Sequence, residues 1–325
     1  MEQKLSVALC TYNGMAYIEQ QLDSILNQEL LVDEVVVSDD GSSDDTMNIV
    51  RRIASEYQQI HWIFLQNASQ LGVIRNFEQA ICQCTGDIVF LSDQDDVWRR
   101  DKTQVIVSYF NSHPEKDVVF SDAELVDDKG NKLSDRSLLD AWQLLPNIDF
   151  WESGFCLESM MFCNRATGAT MAFRRCCSES FLPFDNELTC LHDYQIAMYA
   201  CIKGSLGLVN ASLIQYRQHG KNVMGVPRDN WVYKEKGSEM SLLKEAIEPV
   251  PVRSFCKKYH SSRLDFYRKR VDNYCTIRGK IKLFSLLPQY IRFYKAYWNL
   301  FFVSDFLYGI NDRLRKAYIK HFIHS

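Results

Sequence analysis

Three acidic residues crowd the segment Asp93-Gln94-Asp95-Asp96, directly after the apolar run Asp87-Ile88-Val89-Phe90-Leu91. Such a run predicts a strand buried in a parallel sheet, and ligands of open α/β sheets collect at the carboxyl ends of these strands. Hard divalent cations such as Mg²⁺ take one or two carboxylates from the protein and complete their shell with water and phosphate oxygens. The segment therefore indicates a divalent-metal site, and an ordinary acidic turn is the alternative interpretation.

Two more polar segments follow predicted strands earlier in the chain. Thr11-Tyr12-Asn13-Gly14 comes after an apolar run that begins at Leu5, and Asp39-Asp40-Gly41-Ser42-Ser43 comes after one that begins at Glu34. Because parallel strands end at the same edge of a sheet, we expect both segments to lie near the acidic one. The alternative is that both segments are ordinary loops, formed by residues that commonly end strands, without a binding role.

The elements that must position these segments alternate strand and helix over the first 120 residues, which predicts β-α-β units and a mostly parallel sheet. We predict strands at 5–10, 34–38, 60–66, 87–91, 118–121 and 168–173. Apolar residues at helical spacing predict helices at 16–28 and 44–57, and a third helix is predicted at 193–203. A polar stretch at 127–132 is expected to form a turn between strands.

Charge is unevenly distributed along the 325 residues, whose net charge is only −4. Residues 251–325 carry sixteen Lys and Arg against four Asp and Glu. With aromatic residues interleaved, this extension fits a basic amphipathic helix at a membrane surface, although packing on protein or oligomerisation would use the same apolar face. Nucleic-acid binding is disfavoured because the acidic remainder would repel phosphates.

Eleven cysteines without a C-x-x-C pair indicate reduced structural thiols of a cytoplasmic protein, and neither a zinc site nor a disulfide frame. The first residues lead directly into a strand without an apolar signal segment, so export is not expected. The most apolar late stretch, 300–307, is interrupted by Asp305 and is far shorter than the ~20 residues that span a bilayer.

Together these motifs resemble family 2 glycosyltransferases, the inverting nucleotide-sugar enzymes of the GT-A fold. The resemblance covers roughly residues 4–225 and rests on SVALCTYNG, VVSDDGSSDDT, LGVIRN, DQDDVW and the segments around Asp193 and His219. The DQDDVW form, with His192-Asp193 and YRQHG at 216–220, is most similar to bacterial rhamnosyltransferase-like members that build surface polysaccharides such as O-antigen or capsule. The expected organisation is a GT-A α/β catalytic domain at 1–250 with a helical basic extension at 251–325.

The resemblance implies roles for individual residues. Asp193 occupies the position of the base that deprotonates the acceptor hydroxyl, although many relatives have Glu-Asp where this chain has His192-Asp193, and helix capping is the alternative. Asp40 is expected to accept a hydrogen bond from a pyrimidine ring, because an ionised carboxylate only accepts. Trp98 would be an apolar wall near the sugar or, alternatively, a core residue. The implied nucleotide-binding residues are Thr11, Tyr12, Asn13, Asp39, Asp40, Arg75, Asp93 and Asp95. The implied metal ligands are Asp95, Asp96 and His219, for Mg²⁺ or Mn²⁺.

The resulting expectation is inverting transfer of a sugar, with L-rhamnose suggested, from a nucleoside diphosphate sugar to a glycan or lipid-linked acceptor at the inner face of the cell membrane. Two rivals remain. A non-catalytic glycan-binding or complex-forming subunit could keep the same fold. A sugar nucleotidyltransferase is disfavoured because Thr11-Tyr12-Asn13-Gly14-Met15 is not the Gly-rich basic loop that holds a triphosphate.

Overall fold

The computed structural model of this protein describes residues 3–141, 160, 164–185 and 190–219. The basic extension and its expected membrane contact lie outside the described residues, so they stay predictions. Among the described helices, none has both the length and the apolar character needed to cross a bilayer.

The chain alternates strands and helices in its first half and becomes richer in strands afterwards. The strands are β1 (Leu5–Thr11), β2 (Glu34–Asp39), β3 (His61–Gln66), β4 (Ile88–Ser92), β5 (Val97–Trp98), β6 (Val118–Val126), β7 (Lys132–Ser137), β8 (Met171–Arg174) and β9 (Leu206–Arg217). The helices are α1 (Ile18–Leu26), α2 (Thr46–Glu56), α3 (Val73–Gln83), α4 (Lys102–Ser112), α5 (Leu138–Ala141) and α6 (His192–Lys203).

The strands form one mixed sheet in the order β3-β2-β1-β4-β8-β6-β9-β5, with β7 paired to β6. Pairing is parallel from β3 through β4, and every residue of β1, β2 and β4 is buried. Strands covered by helices on both faces read as continuous apolar runs, which is why the sequence located these three within one or two residues.

The second half of the sheet mixes directions, because β8 pairs antiparallel with both β4 and β6 while β6 and β9 are parallel. The short strand β5 pairs antiparallel with β9, and neither strand was predicted. The predicted turn at 127–132 is confirmed: the Asp127 carboxylate accepts backbone N–H groups of Lys129 and Asn131, and Gly130 has φ +86°.

The strand predicted at 168–173 is wrong in its first half. Gly168–Thr170 form a 3-10 turn, and the strand begins at Met171. The turn is closed by the backbone N–H and the hydroxyl of Thr170, which both donate to the carbonyl of Thr167. This local bonding replaces the sheet hydrogen bonds that a strand would make.

Candidate active site

The three polar segments meet at one edge of the sheet because β2, β1 and β4 are neighbours and run parallel. Thr11 lies opposite Asp39 in the register, and Leu9 lies opposite Ser92, the residue before the acidic segment. The shared strand direction therefore places the ends of all three strands side by side, as the sequence predicts.

Asp39 and Asp40 are both buried and already hold the local backbone in place. Asp39 accepts hydrogen bonds from the Thr11 hydroxyl at 2.8 Å and from the Ser42 backbone N–H at 2.9 Å. Asp40 accepts the backbone N–H groups of Leu71 and Gly72 at 2.7 and 2.9 Å. A carboxylate has about four acceptor positions, so Asp40 can stabilise this turn and still accept one more hydrogen bond.

A reciprocal clamp joins the first strand end to the acidic loop. The amide of Gln94 accepts the backbone N–H of Tyr12 at 2.8 Å and donates to the Tyr12 carbonyl at 2.9 Å. A Cβ on Gly14 would lie 2.1 Å from Oε1 of Gln94, so only glycine fits beside the clamp. Asn13 has φ +48° and its side chain accepts the backbone N–H of Ser43. Tyr12 itself is 43% exposed, which leaves its ring open to a ligand.

The acidic loop concentrates negative charge inside the protein. Burial, followed by the charges of Asp95 and Asp193, raises the pKa of Asp93 to about 7. Burial, followed by Asp95 and Asp93, raises the pKa of Asp96 well above its ordinary value. Oδ1 of Asp96 accepts the backbone N–H of Arg217, whereas its buried Oδ2 has no hydrogen-bond partner within the described residues.

Arg217, which sequence reasoning missed, connects the acidic loop to two other parts of the structure. Its guanidinium donates to the Asp95 carbonyl at 2.8 Å, to the Asp128 carbonyl at 3.1 Å and to the Gln20 side chain at 2.7 Å. Only 2% of Arg217 is exposed, which means that these bonds replace water almost completely. Its place as the second residue of the YRQHG segment at 216–220 was the available signal.

His219 reaches the acidic loop from the end of β9. Its Nε2 lies 2.7 Å from Oδ2 of Asp95, and its ring stacks on Tyr17 with centroids 5.0 Å apart. The structure therefore brings His219 together with Asp95, although the two residues are 124 positions apart in the chain.

Asp193 lies in the first turn of α6, which begins at His192 with Leu191 as the N-cap residue. Its carboxylate accepts the backbone N–H of Gly168 at 3.2 Å and that of Tyr194 at 2.6 Å. Burial raises the pKa of Asp193 to about 6 in spite of these hydrogen bonds. A carboxylate that titrates just below neutral pH has the properties of a general base.

His192 is packed among aromatic rings. Its ring stacks on Phe77 with centroids 4.0 Å apart, and neither ring nitrogen has a hydrogen-bond partner in the part of the chain that is described. Burial lowers the pKa of His192 to about 3, so the imidazole is neutral near pH 7. His192 is absent from the causes that shift the pKa of Asp193.

Two other residues have mainly local contacts. Arg75 lies on α3 and forms an ion pair with Glu78 at 2.6 Å. Trp98 is 4% exposed and packs on Phe90 and beneath the ammonium of Lys102, which fits the core alternative for this residue.

The donor chemistry of the acidic loop fits a divalent cation. Within the described ranges, no group of three or more His, Cys, Asp or Glu side chains is arranged to hold a metal ion. Mg²⁺ and Mn²⁺ do not need such a site, because phosphate and water oxygens complete their shells. A bound cation would satisfy the partnerless Oδ2 of Asp96 and would lower the raised pKa values of Asp93 and Asp96. Asp95, Asp96 and His219 stay the predicted ligands.

Comparison with known proteins identifies proteins that are similar to this chain in sequence and in fold. Residues 6–167 match the family described as glycosyl transferase family 2. An uncharacterized Mycobacterium bovis protein is 24% identical over 222 residues, which cover 67% of this chain but only 60% of that protein. The dTDP-rhamnosyl transferase RfbG of Shigella flexneri is 26% identical over 254 residues, covering 73% of this chain and 79% of RfbG.

A solved structure supports the same fold. The mannosyltransferase PcManGT of Pyrobaculum calidifontis, solved with GDP-Man and Mn²⁺, superimposes with a TM-score of 0.51 at 18% identity. The alignment covers 100% of this chain and 89% of PcManGT. The expected GT-A fold, an α/β sheet flanked by helices, is thereby confirmed.

Proposed function

Because the chain contains a glycosyl transferase family 2 domain at residues 6–167, we propose that it is an inverting glycosyltransferase that uses a nucleoside diphosphate sugar. The observation that carries this proposal is the electrostatic interaction between the acidic loop at 93–96 and Asp193, the candidate base. Asp93 and Asp193 are 100 residues apart in the chain, yet the charge of Asp193 raises the pKa of Asp93. The acidic loop and the proposed base Asp193 are therefore close enough to interact electrostatically.

In the proposed reaction, the donor lies across the ends of β1, β2 and β4. The nucleobase and ribose of the donor contact the Thr11–Asn13 and Asp39–Asp40 segments. The diphosphate lies at Asp93, Asp95, Asp96 and His219. When bound, a divalent cation neutralises the charge that develops on the departing nucleoside diphosphate. Arg217 and Gln94 hold the loops that carry these groups.

Asp193 is the proposed base. Its carboxylate takes the proton of the acceptor hydroxyl while that oxygen attacks the anomeric carbon from the face opposite the diphosphate. The bond between the anomeric carbon and the diphosphate oxygen breaks in the same step, so the configuration inverts and no covalent intermediate forms. A pKa of about 6 leaves Asp193 mostly ionised at neutral pH.

The finer assignments are part of the same proposal. L-rhamnose as the sugar is supported by the 26% identity to RfbG and by the DQDDVW and YRQHG segments. A glycan or lipid-linked hydroxyl is the proposed acceptor, and the basic composition of residues 251–325 supports contact with an anionic membrane surface.

A thermal-shift panel tests donor binding. The full chain is heated with dTDP, UDP, GDP or CDP, each with and without Mn²⁺ or Mg²⁺. A nucleotide that binds the folded state at 100 times its Kd stabilises it by about 2.7 kcal/mol. We expect metal-dependent stabilisation by one nucleotide, its loss in Asp95→Ala, and its retention in Asp135→Ala, a fully exposed acid that serves as the control.

Release of nucleoside diphosphate from the matching sugar donor then separates a transferase from a binding subunit. Asp193→Asn should keep the metal-dependent thermal shift and lose turnover by at least ~10²-fold, because its geometry is kept while proton acceptance is lost. If no nucleotide shifts the melting temperature, the glycan-binding subunit becomes the better interpretation. Full turnover by Asp193→Asn would remove Asp193 from the mechanism.

A further inference from the structure

The first residue of α4, Lys102, is a lysine with no exposed surface. Its Nζ donates to the carbonyl of Ala169 at 3.0 Å and lies 3.9 Å from the centre of the Trp98 ring. A buried ammonium is costly unless acids and hydrogen bonds compensate for it. Both forms of compensation are present at this position.

The charge of Lys102 interacts with the carboxylates of the acidic loop. Burial lowers the pKa of Lys102 to about 7, and the charges of Asp96 and Asp93 act in the opposite direction. Burial and the neighbouring carboxylates raise the pKa values of Asp93 and Asp96, and the charge of Lys102 lowers them by a smaller amount. The lysine therefore interacts electrostatically with the carboxylates on the metal side of the site.

The hydrogen bond of Lys102 leads to the other side of the site. Ala169 is the middle residue of the 3-10 turn at Gly168–Thr170, and the N–H of Gly168 donates to Oδ2 of Asp193 at 3.2 Å. The two bonds from Thr170 to the Thr167 carbonyl make the turn a single closed unit. A shift of the Ala169 carbonyl would therefore move the amide that orients Asp193.

We propose that Lys102 is a positioning residue: its buried ammonium fixes, through the carbonyl of Ala169, the turn that orients Asp193. This role rests on the proposed function for its consequence in catalysis, while the physical link itself does not depend on any substrate. Lys102 touches neither donor nor acceptor, and it acts through the turn.

A double-mutant cycle tests the link from both ends of the turn. Lys102→Met removes the donor but keeps an unbranched side chain of similar length. Gly168→Ala perturbs the same turn directly, since its Cβ would lie 3.1 Å from Nε2 of His192 and 3.4 Å from Cβ of Asp193. If both changes act by displacing the turn, the double variant should lose little more than the worse single variant, in urea unfolding and in turnover.

The kinetic readout is the rate of nucleoside diphosphate release with the sugar donor matching the nucleotide identified by thermal shift. Lys102→Met is expected to lower kcat by about 10²-fold, the cost of misplacing a reacting group by about 1 Å, with little change in the donor KM. Lys102→Arg keeps a cationic donor and should recover most of the rate. Lys116→Met is the matched control, because Lys116 also donates to a carbonyl, that of Gly204, but through a solvent-exposed hydrogen bond.

Each outcome is decisive. The proposal would be overturned if the effects of Lys102→Met and Gly168→Ala on the unfolding free energy were additive. It would also be overturned if Lys102→Arg did not recover kcat. If Lys102→Met does not fold, Lys102→Gln, whose shorter neutral side chain no longer reaches the Ala169 carbonyl, replaces it in the cycle with Gly168→Ala under the same criterion. If the unfolding cycle is non-additive while the wild-type chain turns over no donor, the proposed reaction falls and the link between Lys102 and the Asp193 turn stands.

Discussion

Replacing Asp193 by Asn should change the pH dependence of stability in a direction that follows from the structure. Burial raises the pKa of this carboxyl from 3.8 to about 6 in the folded protein. The folded state therefore holds the proton more tightly than the unfolded state. Stability from this group is fully present below the unfolded pKa and is lost as pH rises through the folded pKa.

The magnitude follows from the size of the shift. A difference of about two units costs about 3 kcal/mol once both states are ionised, at 1.36 kcal/mol per unit. Integrating the two titrations gives a loss of about 2.4 kcal/mol between pH 4 and pH 8. Asp193 keeps some contact with solvent, which makes these upper values for the carboxyl itself. The charge of Asp193 also raises the pKa of Asp93. Replacing Asp193 by Asn removes this repulsion, which also favours the variant as pH rises.

Asn cannot ionise, so Asp193→Asn should gain stability relative to the wild type as pH rises. The Asn amide also loses part of the hydrogen bonding to the N–H groups of Gly168 and Tyr194, at a cost of about 1–3 kcal/mol that does not depend on pH. The pH-dependent part of the difference therefore isolates the buried charge.

The assay is urea unfolding of both proteins at pH 4, 5, 6, 7 and 8, with the difference in unfolding free energy plotted against pH. We expect this difference to move in favour of Asp193→Asn by about 2 kcal/mol across the range. Asp135→Asn, at a fully exposed position, is the control and should give parallel curves. Parallel curves for Asp193→Asn would refute the idea that this carboxyl is held in a desolvated site.

Two further predictions concern residues beside the site. His192→Phe should become more stable than the wild type on acidification. Burial lowers the pKa of His192 from 6.5 to about 3 in the folded protein. The wild type therefore loses up to ~1.4 kcal/mol of unfolding free energy per pH unit as pH falls from 6.5 towards 3. Melting temperatures from pH 8 to pH 4 measure it, and a constant difference between the proteins would contradict it. Asp40→Ala should cost about 2–4 kcal/mol in urea unfolding and abolish the nucleotide-dependent thermal shift, because the backbone N–H groups of Leu71 and Gly72 lose a charged acceptor. Asp45→Ala, an exposed acid that bonds only to Asn48 among the described side chains, is its control, and an equal effect at both positions would exclude a special role for Asp40.

The residues between β4 and β5 show which structural features a short stretch of sequence can predict. A buried apolar run followed by Asp93-Gln94-Asp95-Asp96 was enough to predict a strand and a polar strand end, because both signals lie within ten residues. The 3-10 turn at Gly168–Thr170 was mistaken for a strand because it contains no charged residue and leads directly into the strand at Met171–Arg174. The hydrogen bonds that close the turn are not visible in the composition.

The sequence by itself located the strands β1, β2 and β4, because a strand covered on both faces must be apolar along its whole length. It also determined that three polar segments meet at one edge, because parallel strands end together. Only the tertiary structure decided which distant groups complete the site. Arg217 reaches Asp95 across 122 positions, and Lys102 reaches Ala169 across 67. Such contacts depend on which strands become neighbours and how deeply a side chain is buried, and these are properties of the packed chain that no short stretch of sequence contains.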